Sequence, residues 1–169
     1  MDKHAPPCCE YDENLDLLLK ADLFTKIPIE RLRTYALLVK RMNYQAGEFV
    51  FHQGDYDNKA YLLVQGSLSI THTYIDKSHT HGTISQGQVF GTLALLADTE
   101  RLFSVEAIEP AMCLILPRPK ALTEPDKDPD SAKIFIKIIT ERLSRWEKTC
   151  LVEAATIDSC PCKYGVSLI

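Results

Sequence analysis

The apolar positions of this chain change period twice along its length. Near the N-terminus, Leu15, Leu18, Leu19 and Leu23 recur every three or four residues up to Phe24, which predicts a short helix. Pro28 suits the first turn of a second helix, along which Ile29, Leu32, Ala36 and Val39 keep helical spacing. From about residue 41 to residue 117 the period shortens to that of strands. The segments EFVFHQ, AYLLVQ, SLSITHTY, GTISQG, SVEAI and MCLILP lie between glycines at 47, 54, 66, 82, 87 and 91. Short strands at this turn spacing predict an all-β sandwich or jelly roll. Pro117, Pro119, Pro125 and Pro129 close the strand region, and TEPDKDPD reads as an acidic loop.

A long helix follows, from about 131 to 155. Ala132, Ile136, Ile139, Leu143, Trp146 and Cys150 alternate along it at spacings of four and three. That a/d seam of about two and a half heptads suggests a partner helix and a homodimer through Ile136, Ile139, Leu143 and Trp146. One amphipathic helix packing back on its own barrel produces the same short pattern. The predicted class is mainly β with flanking helices: N-terminal helices, a jelly roll over about 41–117 and the long C-terminal helix. One domain spans 13–155, between polar tails at 1–12 and 156–169.

Composition narrows the function classes. With 46% hydrophobic and 25% charged residues in 169, the chain has the makeup of one soluble globular domain. The formal net charge of −4 argues against a broad nucleic-acid surface. No apolar run approaches the roughly 20 residues needed to span a bilayer, and MDKHAPPCCEYDEN lacks the apolar core of a leader. A cytoplasmic location is expected, with no membrane contact. Of the six cysteines, Cys113 in AMCLIL reads as a buried small hydrophobe. Adjacent Cys8-Cys9 and the Cys160-Pro161-Cys162 pair do not have the spacing of a structural zinc site.

The candidate chemistry is concentrated in QGQVFGTLALLADTERLFS, residues 86–104. A glycine turn leads through Phe90-Gly91 into a short helical stretch, Leu93 to Leu96, and then to Arg101 at the start of an expected strand. A helix N-terminus offers free N–H groups to an anion, and an arginine can add a charge-assisted clamp. Alternatively, Gly91 serves tight backbone packing, and Arg101 makes an internal ion pair with Asp98, Glu100 or Glu106.

This stretch, together with YQAGEFVFHQGDYDNKAYLLVQGSLSI, resembles the cyclic-nucleotide-binding domain family, over about Leu23 to Lys148. Catabolite-activator-type regulators and regulatory subunits of cyclic-AMP-dependent kinase belong to that family. The resemblance implies a ligand site at Phe90, Gly91, Thr92, Leu93, Ala94, Arg101, Leu102 and Phe103. The cyclic phosphate of cyclic AMP or cyclic GMP, or another small anion, would sit on the backbone from Gly91 to Leu93, against Arg101. An acid that normally follows the Phe-Gly pair and holds the ribose hydroxyl is replaced by Thr92. Leu102 and Phe103 stand where the family has small residues, and Phe103 is expected to share the face of Arg101 and fill the pocket.

The expectation is therefore a non-catalytic sensor or regulatory module with reduced or altered nucleotide binding. The alternative is a dimerisation scaffold with a vestigial pocket. His72, His79 and His81 lie in THTYIDKSHTHGT, where an exposed polar hairpin is favoured over a metal site. No metal, no catalytic residue and no direct nucleic-acid binding is expected, since Ala154–Ile169 is too short for a helix-turn-helix.

Overall fold

The computed structural model describes residues 7–75, 77–119 and 128–154. The side chains of Cys8, Cys9, Trp146 and Cys150, and all of Cys160 and Cys162, lie outside the described residues, as does the tail beyond 154. Among the described residues, three helices, α1 (Pro7–Lys20), α2 (Ile29–Leu38) and α3 (Pro129–Ala154), flank eight strands. The strands are β1 (Lys40–Tyr44), β2 (Phe49–Phe51), β3 (Lys59–Gln65), β4 (Leu68–Tyr74), β5 (Lys77–Ile84), β6 (Val89–Phe90), β7 (Ser104–Ala107) and β8 (Ala111–Pro117). A 3₁₀ turn at Asp22–Phe24 joins α1 to α2, and a second one, Thr92–Leu95, follows β6.

The first helix begins at Pro7, inside the segment expected to be a tail. Proline suits a helix start, Glu10 in the first turn complements the dipole, and Tyr11 and Leu15 continue the apolar stripe of Leu18. The strand expected at GTISQG lies earlier, because β5 pairs with β4 from Tyr74↔Lys77 to Leu68↔Ile84 as a hairpin. Residues 85–87 then form the turn into β6, where the Ser85 N–H donates to Gln88 Oε1.

Two antiparallel four-stranded sheets, ordered β1-β8-β3-β6 and β2-β7-β4-β5, make a jelly-roll sandwich. The first sheet is covered on both faces, which explains why AYLLV and MCLILP are near-continuous apolar runs. Ala60, Leu62, Val89, Leu114 and Leu116 face a cluster with Leu18, Phe24, Leu32 and Phe135 of the helices. The alternate residues Tyr61, Leu63, Phe90 and Cys113 face the second sheet and its Leu68, Ile70, Ile84 and Val105. The second sheet is covered on one face only, so β4 alternates, with Leu68 and Ile70 inward. Burying each such side chain is worth about 1.5–3 kcal/mol. Strand β6, only two residues long, touches both cores: Val89 belongs to the helical one and Phe90 to the sandwich.

The expected seam on α3 divides between two faces. Ala132 and Ile139 are buried, with Phe135 and Ile138 beside them in the chain's own core, whereas Ile136 is 51% exposed. Leu143 is half-buried.

Candidate ligand site

The site begins where β6 stops. Gly91 takes φ 73° and ψ 18°, a left-handed turn that directs the chain into the 3₁₀ turn Thr92–Leu95. A Cβ at Gly91 would lie 2.6 Å from Arg101 Nη1, so glycine here admits the guanidinium as well as the turn. The helical stretch expected at Leu93–Leu96 is this four-residue turn. It carries too little aligned backbone for a strong dipole, so most of the local positive charge belongs to Arg101.

Arg101 lies just before β7, on a segment fixed to the β2–β3 loop. Its N–H donates to Asp55 O (2.8 Å), its carbonyl accepts from the Gly54 N–H (2.8 Å), and Tyr56 Oη donates to Glu100 Oε1 (2.6 Å). The side chain is 5% exposed. Nη1 donates to Gly91 O at 3.1 Å, and Nη2 donates to Lys59 O at 2.8 Å and to Asp57 Oδ1. The guanidinium carbon lies 4.2 Å from the Phe51 ring centre and 5.6 Å from that of Tyr61, so aromatic faces support the charge. Its Nε is buried without an acceptor among the described residues. Of its five N–H donors, three are engaged, and Nε and one Nη1 hydrogen have no acceptor among the described residues.

The internal partner of Arg101 is Asp57, not the Asp98, Glu100 or Glu106 that sequence proximity suggested. Asp98 pairs instead with Arg118 at 2.8 Å, and Glu100 is taken by Tyr56. Asp57 also accepts from Tyr61 Oη (2.9 Å) through Oδ2. Burial, and then the Asp57 charge, push the Tyr61 phenol well above its ordinary range, so it stays a neutral donor. Arginine, carboxylate and phenol thus form one network.

The side expected to receive the sugar is apolar. Thr92 is 1% exposed and Phe90 likewise 1%; Ala94 is buried and Leu93 half-buried. Phe51 packs on Phe90 (6.2 Å), Tyr61 (5.6 Å) and Phe103 (5.7 Å), and Tyr61 stacks on Phe90 at 5.2 Å. Phe103 therefore lies with the ring over which Arg101 is held, while Leu102 is 64% exposed. An open groove of about 690 Å³ is lined by His52, Gly54, His72, Arg101, Leu102 and Ser104, among others.

Two arginines outside the expected set also hold this segment. Arg118 donates through Nη2 and Nε to Ala94 O (2.8 and 3.3 Å), and Arg142 Nη2 donates to Val89 O at 3.0 Å. Neither spacing nor local motif marks them; only the fold brings them here. Asp57 was closer to legible, since it lies in the GDYDNK turn of the resemblance. On the β4–β5 hairpin His72 pairs with His79, and its ring lies 5.9 Å from that of His81. Among the described residues no group of three or more His, Cys, Asp or Glu is arranged to hold a metal ion. No described helix is long and apolar enough to cross a membrane.

Residues 41–124 match the sequence model of the cyclic nucleotide-binding domain family. The chain is 26% identical over 113 residues to a cAMP-dependent protein kinase regulatory subunit of Dictyostelium discoideum, covering 64% of this chain and 33% of the relative. It is 31% identical over 78 residues to the cyclic AMP receptor protein of Thermus thermophilus, covering 46% and 36%. The chain thus spans about a third of the length of these curated relatives. The solved Thermus thermophilus catabolite activator protein superposes with a TM-score of 0.65 at 24% identity, over 79% of this chain and 62% of that one.

Proposed function

The chain belongs to the cyclic nucleotide-binding domain family, and from that premise we propose that it is a non-catalytic sensor or regulatory module whose nucleotide site is altered. The observation that carries this reading is the asymmetry of the site. At the anion end, Arg101 is held by Asp57, Lys59 O and Gly91 O, with Nε still free to donate. At the sugar end, Thr92 is buried where the family resemblance expects an acid, and Phe90 and Phe103 crowd Phe51. A small anion meets donors, whereas a ribose hydroxyl meets no charged acceptor at position 92.

The lost carboxylate bond is worth about 1.5–3 kcal/mol, a factor of roughly ten to more than a hundred in affinity. Calorimetry with cyclic AMP and cyclic GMP tests the reading: weak binding that Arg101→Ala removes, and that Thr92→Glu with Phe103→Ala strengthens by that factor. Submicromolar binding to the unaltered chain would refute the idea that the site is impaired. A ligand bound at Arg101 reaches a partner through α3, whose inner face packs on the same core as Val89 and Leu95. A second reading is a dimerising scaffold with a vestigial pocket. It is favoured by Ile136, which leaves an apolar side chain exposed midway along α3.

A further inference from the structure

The β4–β5 hairpin, read from its sequence as an exposed polar turn, gathers three imidazoles on one face. His72 of β4 stands directly opposite His79 of β5. Between Thr71↔Thr80 and Ile70↔Gly82 the register shifts, so β5 carries His81 as an extra residue against β4. At that bulge the His81 ring lies 5.9 Å from the His72 ring, with 63° between their planes. His72 and His81 are half-buried, and His79 is exposed. His72 also lines the open groove, in the company of His52 and Glu100.

Hydrogen bonds fix the strands that carry these rings. Gln53 clamps the main chain of Thr73, accepting from its N–H at 2.8 Å through Oε1 and donating to its carbonyl at 3.2 Å through Nε2. The hydroxyls of Thr73 and Ser78 lie 2.9 Å apart and tie β4 to β5 next to His72 and His79. What stays adjustable is the torsion of each ring, which for histidine is broad and roughly two-fold. Zinc binds an imidazole nitrogen at about 2.0–2.1 Å, so two rings on one tetrahedral ion have centres about 5.3 Å apart. The observed 5.9 Å lies within roughly 0.6 Å of that spacing. Imidazole suits zinc, nickel and copper, whereas calcium and magnesium take oxygen ligands. Two nitrogens are fewer than the four ligands of a structural zinc, so an ion here exchanges readily and keeps water in its other positions.

We propose that His72 and His81 form an exchangeable site for a divalent transition-metal ion of the zinc or nickel kind, with His79 as the adjacent donor on the same face. The ion joins β4 to β5 across the bulge and stabilises the hairpin as it binds. The site uses none of the residues of the nucleotide reading and stands whether or not that reading holds.

Zinc chloride titrated into the full chain tests the site, followed by magnetic resonance of the histidine rings. Because six cysteines in the chain also take zinc, the readout is the imidazole signals themselves rather than total metal bound. The His72 and His81 signals should shift together, and magnesium chloride should move neither. Contacts that merely orient a metal-binding histidine are worth about ten- to a hundredfold in affinity, so His72→Asn or His81→Asn should weaken zinc binding at the remaining ring at least about tenfold. His79→Asn should cost less than either, and His52→Asn, on the same groove, should change nothing. Signals of His72 and His81 that stay still up to about 1 mM zinc overturn the proposal, a result that needs no variant to fold. Shifts confined to one ring, or equal weakening by His52→Asn, overturn it as well.

Discussion

Replacing Gly91 by alanine tests the most specific geometric claim about the site, that backbone and guanidinium share one space. Two costs can be separated. The first is conformational: φ of 73° places an L-residue in the left-handed region, at about 1–2 kcal/mol. The second is contact, because the new Cβ would stand 2.6 Å from Arg101 Nη1. The guanidinium has little freedom to retreat, being held by Asp57 and Lys59 O and lying over the Phe51 ring. Moving it forfeits the charge-assisted bond to Gly91 O, worth about 1.5–3 kcal/mol. Together the substitution should cost roughly 3–5 kcal/mol, and at about 2–4 °C per kcal/mol for a chain of this size the melting temperature should fall by some 6–20 °C.

Gly87 supplies the control. Its φ of 86° is as left-handed, but an added Cβ meets nothing within 4 Å, so Gly87→Ala should cost only the conformational 1–2 kcal/mol. Equilibrium denaturation of both variants measures the difference. In an Arg101→Ala background, Gly91→Ala should fall to the same cost as Gly87→Ala. Equal costs for the two glycine substitutions in the unaltered chain would show that Arg101 does not occupy the space against Gly91.

Removing the carboxylate of Asp57 while keeping its shape, Asp57→Asn, should destabilise by about 3 kcal/mol, near the lower end for breaking a buried pair, because Asp57 is 16% exposed; thermal unfolding reads the loss. The phenols of Tyr35 and Tyr44 are raised to about 12, first by burial, so the folded state holds these protons more tightly than the unfolded chain does. Their contribution is therefore complete below about pH 10 and is lost as pH climbs through 12. Denaturation midpoints across that range, with absorbance at 295 nm following ionisation, check the sign. If α3 pairs with a second copy, Ile136→Glu should yield monomer on sizing with little change in melting temperature, whereas Ile139→Glu, at 2% exposure, should unfold the chain itself. An unchanged mass for Ile136→Glu refutes the dimer.

The architecture was legible because local signals agreed: glycine-spaced strands, double-faced runs in AYLLV and MCLILP, and a helical period at each end. The meeting of Gly91 with Arg101 was legible for the same reason, as they lie within one short segment. What the sequence concealed depends on closure of the sandwich. The N-terminal stretch read as a tail because its apolar stripe starts only at Tyr11, yet Pro7 begins the helix. The α3 seam read as one face because heptad spacing cannot say which flank of a helix meets its own core, and Phe135 and Ile138 turn Ile139 inward.

The partner of Arg101 illustrates the limit most clearly. Proximity favoured Glu100 and Asp98, but each is drawn off by a residue that sequence distance hides, Tyr56 and Arg118. Asp57, 44 positions before Arg101, is left to compensate the guanidinium. The loop carrying Asp57 is also hydrogen-bonded to the backbone of Arg101 through Gly54 and Asp55, so arginine and carboxylate are tied by main chain as well as by side chain. Asp57 and the Gly91 carbonyl therefore hold the guanidinium from two loops that only the closed sandwich brings together.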